Sequence, residues 1–196
     1  MEQLLSQAAY LAEQGVKELI LVAQETTVYG KDLYGEKSLH KLLKELCKIP
    51  GIQWIRILYC YPEEIYPELI QTMKEETKIC HYLDLPIQHC SDRILKRMGR
   101  RTTKQELIDI VQTLRKEIPD IILRTTLITG FPGETQEDHE ELLDFIDKLE
   151  FDRLGVFTYS AEEDTPAALM PVLIDEEVKL DRQAELMVLQ QAISMV

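Results

Sequence analysis

The residues best suited to chemistry lie directly after the predicted strands. In chain order these strand ends read Gln24-Glu25-Thr26-Thr27, Tyr59-Cys60-Tyr61, Gln88-His89, Thr129-Gly130 and Tyr159-Ser160. In parallel α/β folds, ligands collect at the carboxyl ends of the strands. The set is rich in amides and hydroxyls, but it holds no clear pair of nucleophile and base and no carboxylate dyad. Such residues are typical of a site that orients a cofactor, which then supplies the reactive group.

The segment 130–133, Gly-Phe-Pro-Gly, is predicted to form a turn between an apolar strand and a helix. Glycine gives such a turn backbone freedom and lets a ligand approach the chain closely, while proline stiffens it. Thr135 is predicted to cap the following helix, with Asp138 in its first turn. Because glycine also serves tight turns that bind nothing, the 130–133 turn is informative only together with the other strand ends.

Each candidate residue also has a purely structural interpretation. Gln24 and Thr26 can stabilise their loop by local hydrogen bonds, and Glu25 can be a solvated loop charge. His89 can be a buried histidine with satisfied hydrogen bonds. Arg100 can point into water, although a planar guanidinium after a strand end is well suited to binding a carboxylate.

The cysteines give no sign of a metal site or of a disulfide framework. There are four, and no two of them form a CxxC or similar close pair; they are Cys47, Cys60, Cys80 and Cys90. The pairs Cys80-His81 and His89-Cys90 resemble ligand pairs, but neighbouring residues on an extended backbone point to opposite sides. The sequence therefore predicts no metal ligands in this chain.

Length and charge restrict the class of protein further. A chain of 196 residues can bury a sizeable core as one domain. Its formal charge of -13 repels phosphate backbones, which argues against direct binding of nucleic acid and favours a basic partner. The exception is a local basic cluster at Lys96, Arg97, Arg100 and Arg101. No apolar run approaches the length of a membrane span and the chain does not open on a secretory signal, so we expect a cytoplasmic protein.

Hydrophobic periodicity predicts elements that alternate between helix and strand. The predicted strands are Glu18–Ala23, Trp54–Cys60, Tyr82–Ile87, Ile121–Thr129 and Leu154–Tyr159. Predicted helices cover Glu2–Gln14, Ser91–Arg97 and Gln136–Leu149, and others start after Ser38, Pro62, Thr103 and Asp175. Strands joined by crossover helices form a parallel sheet. Because such folds normally open on a strand, we expect a first strand upstream of Met1.

Several motifs occur together in an order typical of one enzyme family. They are Gln24-Glu-Thr-Thr-Val-Tyr-Gly30, Leu85-Pro-Ile-Gln-His89, Ile94-Leu-Lys-Arg-Met-Gly-Arg100, Gly130-Phe-Pro-Gly-Glu-Thr135, Phe157-Thr-Tyr-Ser-Ala-Glu-Glu163 and Thr165-Pro-Ala167. The set closely resembles the radical S-adenosylmethionine (SAM) methylthiotransferases. The Gln-Glu-Thr-Thr form of the first motif resembles the branch that acts on a ribosomal protein.

The resemblance implies an α/β fold, namely a partial TIM-like barrel of six βα units, of which this chain would supply units two to six. It implies SAM and [4Fe-4S] clusters as cofactors, with reductive cleavage of SAM to a 5′-deoxyadenosyl radical. The reaction would be methylthiolation of the β-carbon of an aspartate in a basic ribosomal protein of the small subunit. The cofactor-binding residues that it implies are Gln24, Glu25 and Thr26 at the methionine end, Gln88 at the ribose, Arg100 at the carboxylate, and Thr129 and Gly130 at the adenine.

The chain departs from this family in one respect that bears on activity. The family's cluster ligands form a CxxxCxxC motif, which is absent here. Residues 1–196 are therefore predicted to be a fragment of the barrel, without the first strand, the N-terminal methylthiotransferase domain and the C-terminal TRAM-type domain. Such a fragment is expected to be inactive and marginally stable, and to associate through unpaired strand edges.

Three alternatives stay open from the sequence. The first is the branch of the same family that modifies an adenosine in transfer RNA. The second is a barrel without catalytic activity that binds a partner through its acidic surface. The third is a cluster-free barrel enzyme that binds a phosphorylated metabolite at the 130–133 turn.

Overall fold

A computed structural model describes residues 1–195, in which helices and strands alternate. The strands are β1 (Glu18–Leu21), β2 (Trp54–Ile57), β3 (Ile79–Asp84), β4 (Ile122–Thr129) and β5 (Arg153–Thr158). The helices are α1 (Glu2–Glu13), α2 (Lys31–Tyr34), α3 (Leu39–Cys47), α4 (Pro67–Glu75), α5 (Asp92–Arg97), α6 (Lys104–Glu117), α7 (Gln136–Leu149) and α8 (Glu176–Ile193). The predicted α/β alternation is thereby confirmed. None of the helices within 1–195 is both long and apolar enough to cross a membrane.

The chain forms two compact units, and the first comprises Met1–Leu85 and Gln112–Ile122. In this unit β1 pairs in parallel with β2, with Glu18 opposite Trp54. Strand β2 pairs in parallel with β3, and the register shifts between Ile55 and Ile57. The order of the strands follows the chain, as expected when each connection crosses over through a helix.

The strands of the first unit have one buried side and one open side. Leu19, Ile55 and Leu83 are buried, as are the apolar residues of α3 and α4. On the other side Ile20 and Trp54 are 54% and 53% exposed. That open side also carries an ion pair, since Glu18 Oε1 accepts a hydrogen bond from Arg56 Nε at 2.8 Å. The Arg56 guanidinium in turn lies 5.1 Å from the centre of the Tyr82 ring.

The second unit comprises Pro86–Val111 and the chain from Leu123 onward. Here β4 and β5 pair in parallel over six residues, from Arg124 opposite Arg153 to Thr129 opposite Thr158. Gln88 forms an isolated parallel bridge with Leu127. Along β4 buried side chains alternate with more exposed ones, which gives this strand the period of two expected for a half-covered sheet. The buried ones are Leu123, Thr125, Leu127 and Thr129.

Two helices begin with the capping boxes that their sequences indicate. At α6, Glu106 accepts a hydrogen bond from the Thr103 backbone N–H at 2.8 Å, and Thr103 Oγ1 accepts from Glu106 N–H at 3.3 Å. At α7, Asp138 accepts from the Thr135 N–H at 2.8 Å, and the Thr135 hydroxyl accepts from Asp138 N–H at 3.3 Å. Each box satisfies backbone donors that the helix itself leaves without partners.

Several boundaries differ from the sequence-based prediction. Strand β3 runs from Ile79 to Asp84 instead of Tyr82 to Ile87, because Pro86 has no N–H to donate to a neighbouring strand. Strands β1 and β2 end before the predicted Ala23 and Cys60.

The prediction that a helix starts after Pro62 was also wrong about where the helix begins. Pro62–Glu64 forms only one 3-10 turn, and the α-helix begins at Pro67, which also suits a first helical position. The short helix α2 lies between β1 and α3, where no helix was predicted, and a second 3-10 turn covers Pro166–Leu169. Both are brief segments without the apolar periodicity that would predict them.

Candidate functional site

Thr26 connects the loop after β1 to the end of β2. Its N–H donates to the carbonyl of Tyr59 at 3.0 Å, and its hydroxyl donates to the carbonyl of Leu58 at 2.6 Å. The side chain is buried. Thr26 therefore uses its hydrogen-bonding groups to fix the loop, which matches the structural interpretation offered by the sequence.

Glu25 connects the same two loops through its carboxylate. Oε1 accepts from the backbone N–H of Thr27 at 2.9 Å and from the Thr27 hydroxyl, and Oε2 accepts from the N–H of Tyr61 at 2.8 Å. Burial raises the pKa of Glu25 to about 7, and the two backbone hydrogen bonds only partly oppose this. Glu25 is thus partly desolvated and holds two loops together by hydrogen bonds. It is not the solvated charge that its residue type would suggest.

Gln24 has the opposite character. Its side chain is exposed, and its amide forms no hydrogen bond with any residue of the described chain 1–195. Among the three candidates after β1, Gln24 is therefore the one whose side chain is available to a ligand without breaking an internal bond.

Gln88 adopts an unusual backbone conformation at its strand end. Its φ of 69° lies in the left-handed region, which costs a non-glycine residue about 1–2 kcal/mol. Two hydrogen bonds hold this conformation: Gln88 N–H donates to Thr126 O, and Ile128 N–H donates to Gln88 O, both at 2.9 Å. Strained positions that the surrounding structure maintains cluster at functional sites. The half-buried Gln88 side chain is therefore a good candidate for ligand contact.

Arg100 lies near the chain segment that contains Gln88. It follows α5, and its Nη2 donates to the carbonyl of Pro86 at 2.6 Å. The side chain is half-buried. This bond holds the guanidinium beside the loop after β3, and a planar guanidinium has the fork geometry that suits a carboxylate.

Thr129 and Gly130 end β4, and their surroundings differ from those expected. The Thr129 side chain is fully buried, with Oγ1 3.5 Å from Glu134 Oε1. Gly130 has φ 72°, and a Cβ added to it would lie 2.2 Å from Cγ of Lys179. The bare backbone that the sequence predicted on this side of Gly130 is therefore covered, because the Lys179 side chain fills the space.

The N–H groups of the 130–133 turn already have an acceptor. Gly130 N–H and Phe131 N–H donate to Glu134 Oε2 at 2.7 and 3.2 Å. Glu134 is buried, and a phosphate placed at these donors would meet its carboxylate at close range. This arrangement counts against the alternative of a phosphorylated metabolite bound at the turn.

A buried polar network supports the turn from within the second unit. Arg182 Nη1 donates to Glu134 Oε1 at 2.8 Å, and both side chains are buried. Burial raises the pKa of Glu134, while the Arg182 charge and the N–H groups of Phe131 and Gly130 act in the opposite direction. The sequence analysis missed Glu134, Arg182 and Lys179, because charged residues of this kind in an acidic chain read as solvent-exposed.

His89 belongs to this buried region and has a structural role. Its Nδ1 accepts a hydrogen bond from Ser91 N–H at 3.0 Å, and Nε2 lies 3.8 Å from Glu134 Oε2. Burial lowers the pKa of His89 to about 4, so the ring is neutral near pH 7. The structural interpretation, a buried histidine with satisfied hydrogen bonds, therefore holds for Nδ1 only, because the buried Nε2 has no hydrogen-bond partner within residues 1–195.

Asp138 joins the start of α7 to α5. Oδ1 accepts from the Ser91 hydroxyl at 2.7 Å, and Oδ2 accepts from Thr135 N–H at 2.8 Å and from Arg93. Burial by itself raises the pKa of Asp138, but the hydrogen bonds from Thr135, Ser91 and Arg93 outweigh it and hold the pKa at about 2. The carboxylate is therefore charged throughout the physiological range.

The basic cluster predicted at 96–101 is partly engaged with the backbone. Arg97 Nε donates to the carbonyl of Pro132 at 3.0 Å, and Arg93 donates to the carbonyl of Gly133 at 2.9 Å. Lys96 and Arg101 are exposed. Two arginines of α5 thus bind carbonyls of the 130–133 turn, while Glu134 binds the N–H groups of Gly130 and Phe131.

The thiols are poor candidates for metal ligands. All four cysteines are free, and burial raises the pKa of each, that of Cys47 to about 11. Within residues 1–195 no three His, Cys, Asp or Glu side chains come together in an arrangement that could hold a metal ion.

Comparison with known proteins identifies the family. The profile of the radical SAM superfamily matches residues 1–146. The chain belongs to the radical SAM superfamily. Among superfamily members, it is 67% identical over 194 residues to "Ribosomal protein uS12 methylthiotransferase RimO" of Lachnoclostridium phytofermentans, which covers 99% of this chain and 44% of that protein. The protein of the same name from Clostridium perfringens (strain ATCC 13124) is 60% identical over 194 residues, with the same coverage of both chains.

A solved radical SAM structure shows the same fold at low sequence identity. The radical SAM methyltransferase TsrM of Kitasatospora setae, with cobalamin and a [4Fe-4S] cluster bound, matches 84% of this chain and 32% of its own. Its TM-score is 0.63 at 17% identity, so this match speaks for the fold alone. The chain spans less than half the length of the curated relatives it matches.

Proposed function

We propose that this chain is the barrel segment of a radical SAM methylthiotransferase that modifies the β-carbon of an aspartate in ribosomal protein uS12. The observation that carries the proposal is the 67% identity over 194 residues to a uS12 methylthiotransferase. The aligned span covers 99% of this chain and so contains the strand ends described above. Because the relatives are more than twice as long, the activity is proposed for the complete gene product and not for residues 1–196 alone.

We propose that polar residues of this chain contact SAM, as the family resemblance implies. Gln24 offers a free amide, Gln88 is a half-buried amide in a strained conformation, and Arg100 offers a guanidinium. We propose that Gln24 lies near the methionine end of SAM, in a loop that Glu25 and Thr26 hold in place. When bound and reduced, the cofactor supplies the one-electron chemistry needed to activate an aliphatic C–H bond.

Four residues complete the proposed cofactor contacts. Gln88 would bind the ribose hydroxyls, and Arg100 would pair with the carboxylate of the methionine moiety. Thr129 and Gly130 would contact the adenine through backbone atoms on the side that Lys179 does not cover, since the Thr129 side chain is buried against Glu134.

A [4Fe-4S] cluster does not fit the cysteines of this chain. Cluster ligands are thiolates grouped around the iron. Cys60 and Cys90 are buried with a raised pKa, and the described residues contain no cluster of potential ligands. We therefore assign the cluster ligands to parts of the gene product outside this chain and derive no step through them here.

The charge of the chain supports a basic protein as the substrate. A net charge of -13 attracts a basic protein and repels RNA, which favours the ribosomal-protein branch over the transfer-RNA branch. A modification of ribosomal protein takes place where ribosomes are made, so we also propose the cytoplasm as its location.

The function is tested with the complete gene product, reconstituted without oxygen. Incubated with SAM, reductant and sulfide, it is expected to add one methylthio group to uS12, detected by mass spectrometry. Transfer RNA in parallel reactions should stay unmodified. Modification of transfer RNA alone would assign the gene product to the transfer-RNA branch of the family. Modification of neither substrate would favour the alternative of a barrel that binds a partner without catalytic activity.

The SAM contacts are tested by a matched pair of arginines. Arg100→Gln should weaken SAM binding by about tenfold or more, because a charge-assisted hydrogen bond is lost. Arg101→Gln alters the exposed neighbour by the same chemistry and should leave the dissociation constant unchanged. Equal losses in both variants would refute the role of Arg100.

A further inference from the structure

Helix α8 contacts the 130–133 turn through a buried ion pair that the function above does not use. Arg182 and Glu134 are 6% and 2% exposed, and Arg182 Nη1 lies 2.8 Å from Glu134 Oε1. The two residues are 48 positions apart in the chain. A carboxylate buried to this extent is costly unless it is paired, so Glu134 depends on Arg182 for its charge.

The same carboxylate fixes the backbone at the end of β4. While Oε1 pairs with Arg182, Oε2 accepts from Gly130 N–H at 2.7 Å and from Phe131 N–H at 3.2 Å. Both amides therefore lie in a chain of hydrogen bonds that ends at Arg182. Removing the guanidinium would leave the carboxylate uncompensated and would weaken its hold on both amides.

Lys179, one turn earlier on α8, makes a second contact with the turn. Its aliphatic stem covers Gly130, where any side chain would collide with it. Its Nζ donates to the carbonyl of Tyr159 at 3.0 Å and to Glu176 at 3.0 Å. The ammonium also lies 5.7 Å from the centre of the Tyr159 ring. Lys179 and Arg182 thus present one side of α8 to the end of β4.

We propose that Arg182 and Lys179 are positioning residues, through which α8 sets the conformation of the backbone at 129–131 and thereby the affinity for SAM. The inference rests on the proposed function, in which this backbone contacts the adenine. Neither residue touches the cofactor in this proposal. Their effect passes through Glu134 in one case and through packing on Gly130 in the other.

A merely structural role for Arg182 makes a different prediction. If α8 only stabilised the fold, replacing any buried polar residue of this helix should affect the 130–133 turn and SAM binding to a similar extent. Gln190 provides this control, since it is also on α8 and 5% exposed, and its Nε2 donates to the carbonyl of Phe151 at 2.7 Å. Gln190 makes no hydrogen bond to the 130–133 turn within the described residues.

The experiment compares variants of the complete gene product by two measurements other than activity. Hydrogen exchange reports on the amides of Gly130 and Phe131, and equilibrium dialysis gives the dissociation constant for SAM. Arg182→Met should speed exchange at both amides and raise the dissociation constant, each by roughly tenfold or more. Gln190→Leu should change neither quantity, although it lowers the melting temperature.

Further variants separate charge from shape. Arg182→Lys keeps the charge and should lie between wild type and Arg182→Met. The double variant Arg182→Met/Glu134→Gln removes the uncompensated charge and retains one carbonyl oxygen as acceptor for the two amides, which both donate to a single oxygen of Glu134, so it should recover part of the SAM affinity. Lys179→Ala should raise the dissociation constant by a smaller factor, since it removes packing and leaves the ion pair intact.

The results decide the inference separately from the proposed function. Wild-type exchange and wild-type SAM affinity in Arg182→Met, or equal effects in Gln190→Leu, would overturn it. If the wild-type gene product did not bind SAM at all, the proposed function would fail. In that case accelerated exchange of the two amides in Arg182→Met would still establish that α8 fixes the turn, and unchanged exchange would refute this as well.

Discussion

At the scale of single residues, the polar groups at the strand ends divide into two kinds. Thr26 and Thr129 are buried, and their side chains contact other parts of the protein. Gln24 is exposed and forms no internal hydrogen bond within residues 1–195. Residue type alone indicated both kinds as ligands, since the sequence shows that a residue follows a strand but not which way its side chain turns.

Glu25 is expected to make stability depend on pH. Burial raises its pKa to about 7 from an ordinary value of 4.5, so the folded protein holds this proton more tightly than the unfolded chain. Its contribution is fully present below pH 4.5 and is lost as the pH rises through about 7. Urea unfolding across this range should show a fall in stability that Glu25→Gln lacks.

The exposed carboxylate Glu13 on α1 provides the control for this measurement, because its charge is not among those that raise the pKa of Glu25. Glu13→Gln should retain the wild-type pH dependence. Parallel stability curves for wild type and Glu25→Gln would contradict the raised pKa.

The cysteines are expected to differ in reactivity according to burial. Cys80 is half-buried, whereas Cys60 and Cys90 are fully buried with a raised pKa. Iodoacetamide should therefore label Cys80 first in the native protein, and Cys80→Ser should abolish most native labelling. Rapid labelling of Cys90 under the same conditions, mapped by peptide mass, would be inconsistent with this structure.

At the scale of elements, local signals proved reliable and long-range ones did not. Both capping boxes were predictable, because they depend on residues three positions apart. The ion pair between Glu134 and Arg182 was not, because it forms only when α8 packs against α7 and β5 within the second unit. The shift of β3 towards Ile79 has a similar origin, since pairing with β2 and not local apolarity determines where the strand begins.

The two capping boxes are expected to differ in strength. Asp138 is buried and also binds Ser91 and Arg93, whereas Glu106 is exposed. Asp138→Ala should lower the free energy of unfolding by about 2 kcal/mol or more, and Glu106→Ala by about 0.5–1 kcal/mol. Equal losses in urea denaturation would show that the additional bonds of Asp138 contribute nothing.

At the scale of the whole molecule, the chain combines a net charge of -13 with strand surface that is exposed to solvent. In the first unit β1 pairs with β2, and its other edge has no partner strand within that unit as described. Ile20 on β1 is exposed. An unpaired strand edge was predicted from the sequence, because a fragment that lacks one strand of a closed sheet leaves the neighbouring edge without a partner.

Expressed by itself, the chain is expected to be marginally stable and to associate through these edges. Ile20→Lys places a charge on β1, the edge strand itself. It should therefore shift the sedimentation of the chain towards smaller species. Leu4→Lys makes the same change on the exposed side of α1 and should not alter sedimentation. A wild-type chain that is monomeric at all concentrations and melts at high temperature would disprove the expectation.

Trp54 is the only tryptophan of the chain, and it lies on the open side of the first unit's strands. This chain therefore contains a single indole fluorophore, at an informative place. In the chain alone its indole is in contact with water, and its emission should be red-shifted accordingly. Any molecule or chain segment that covers this side should move the emission to shorter wavelength, so binding there can be followed by fluorescence without a label.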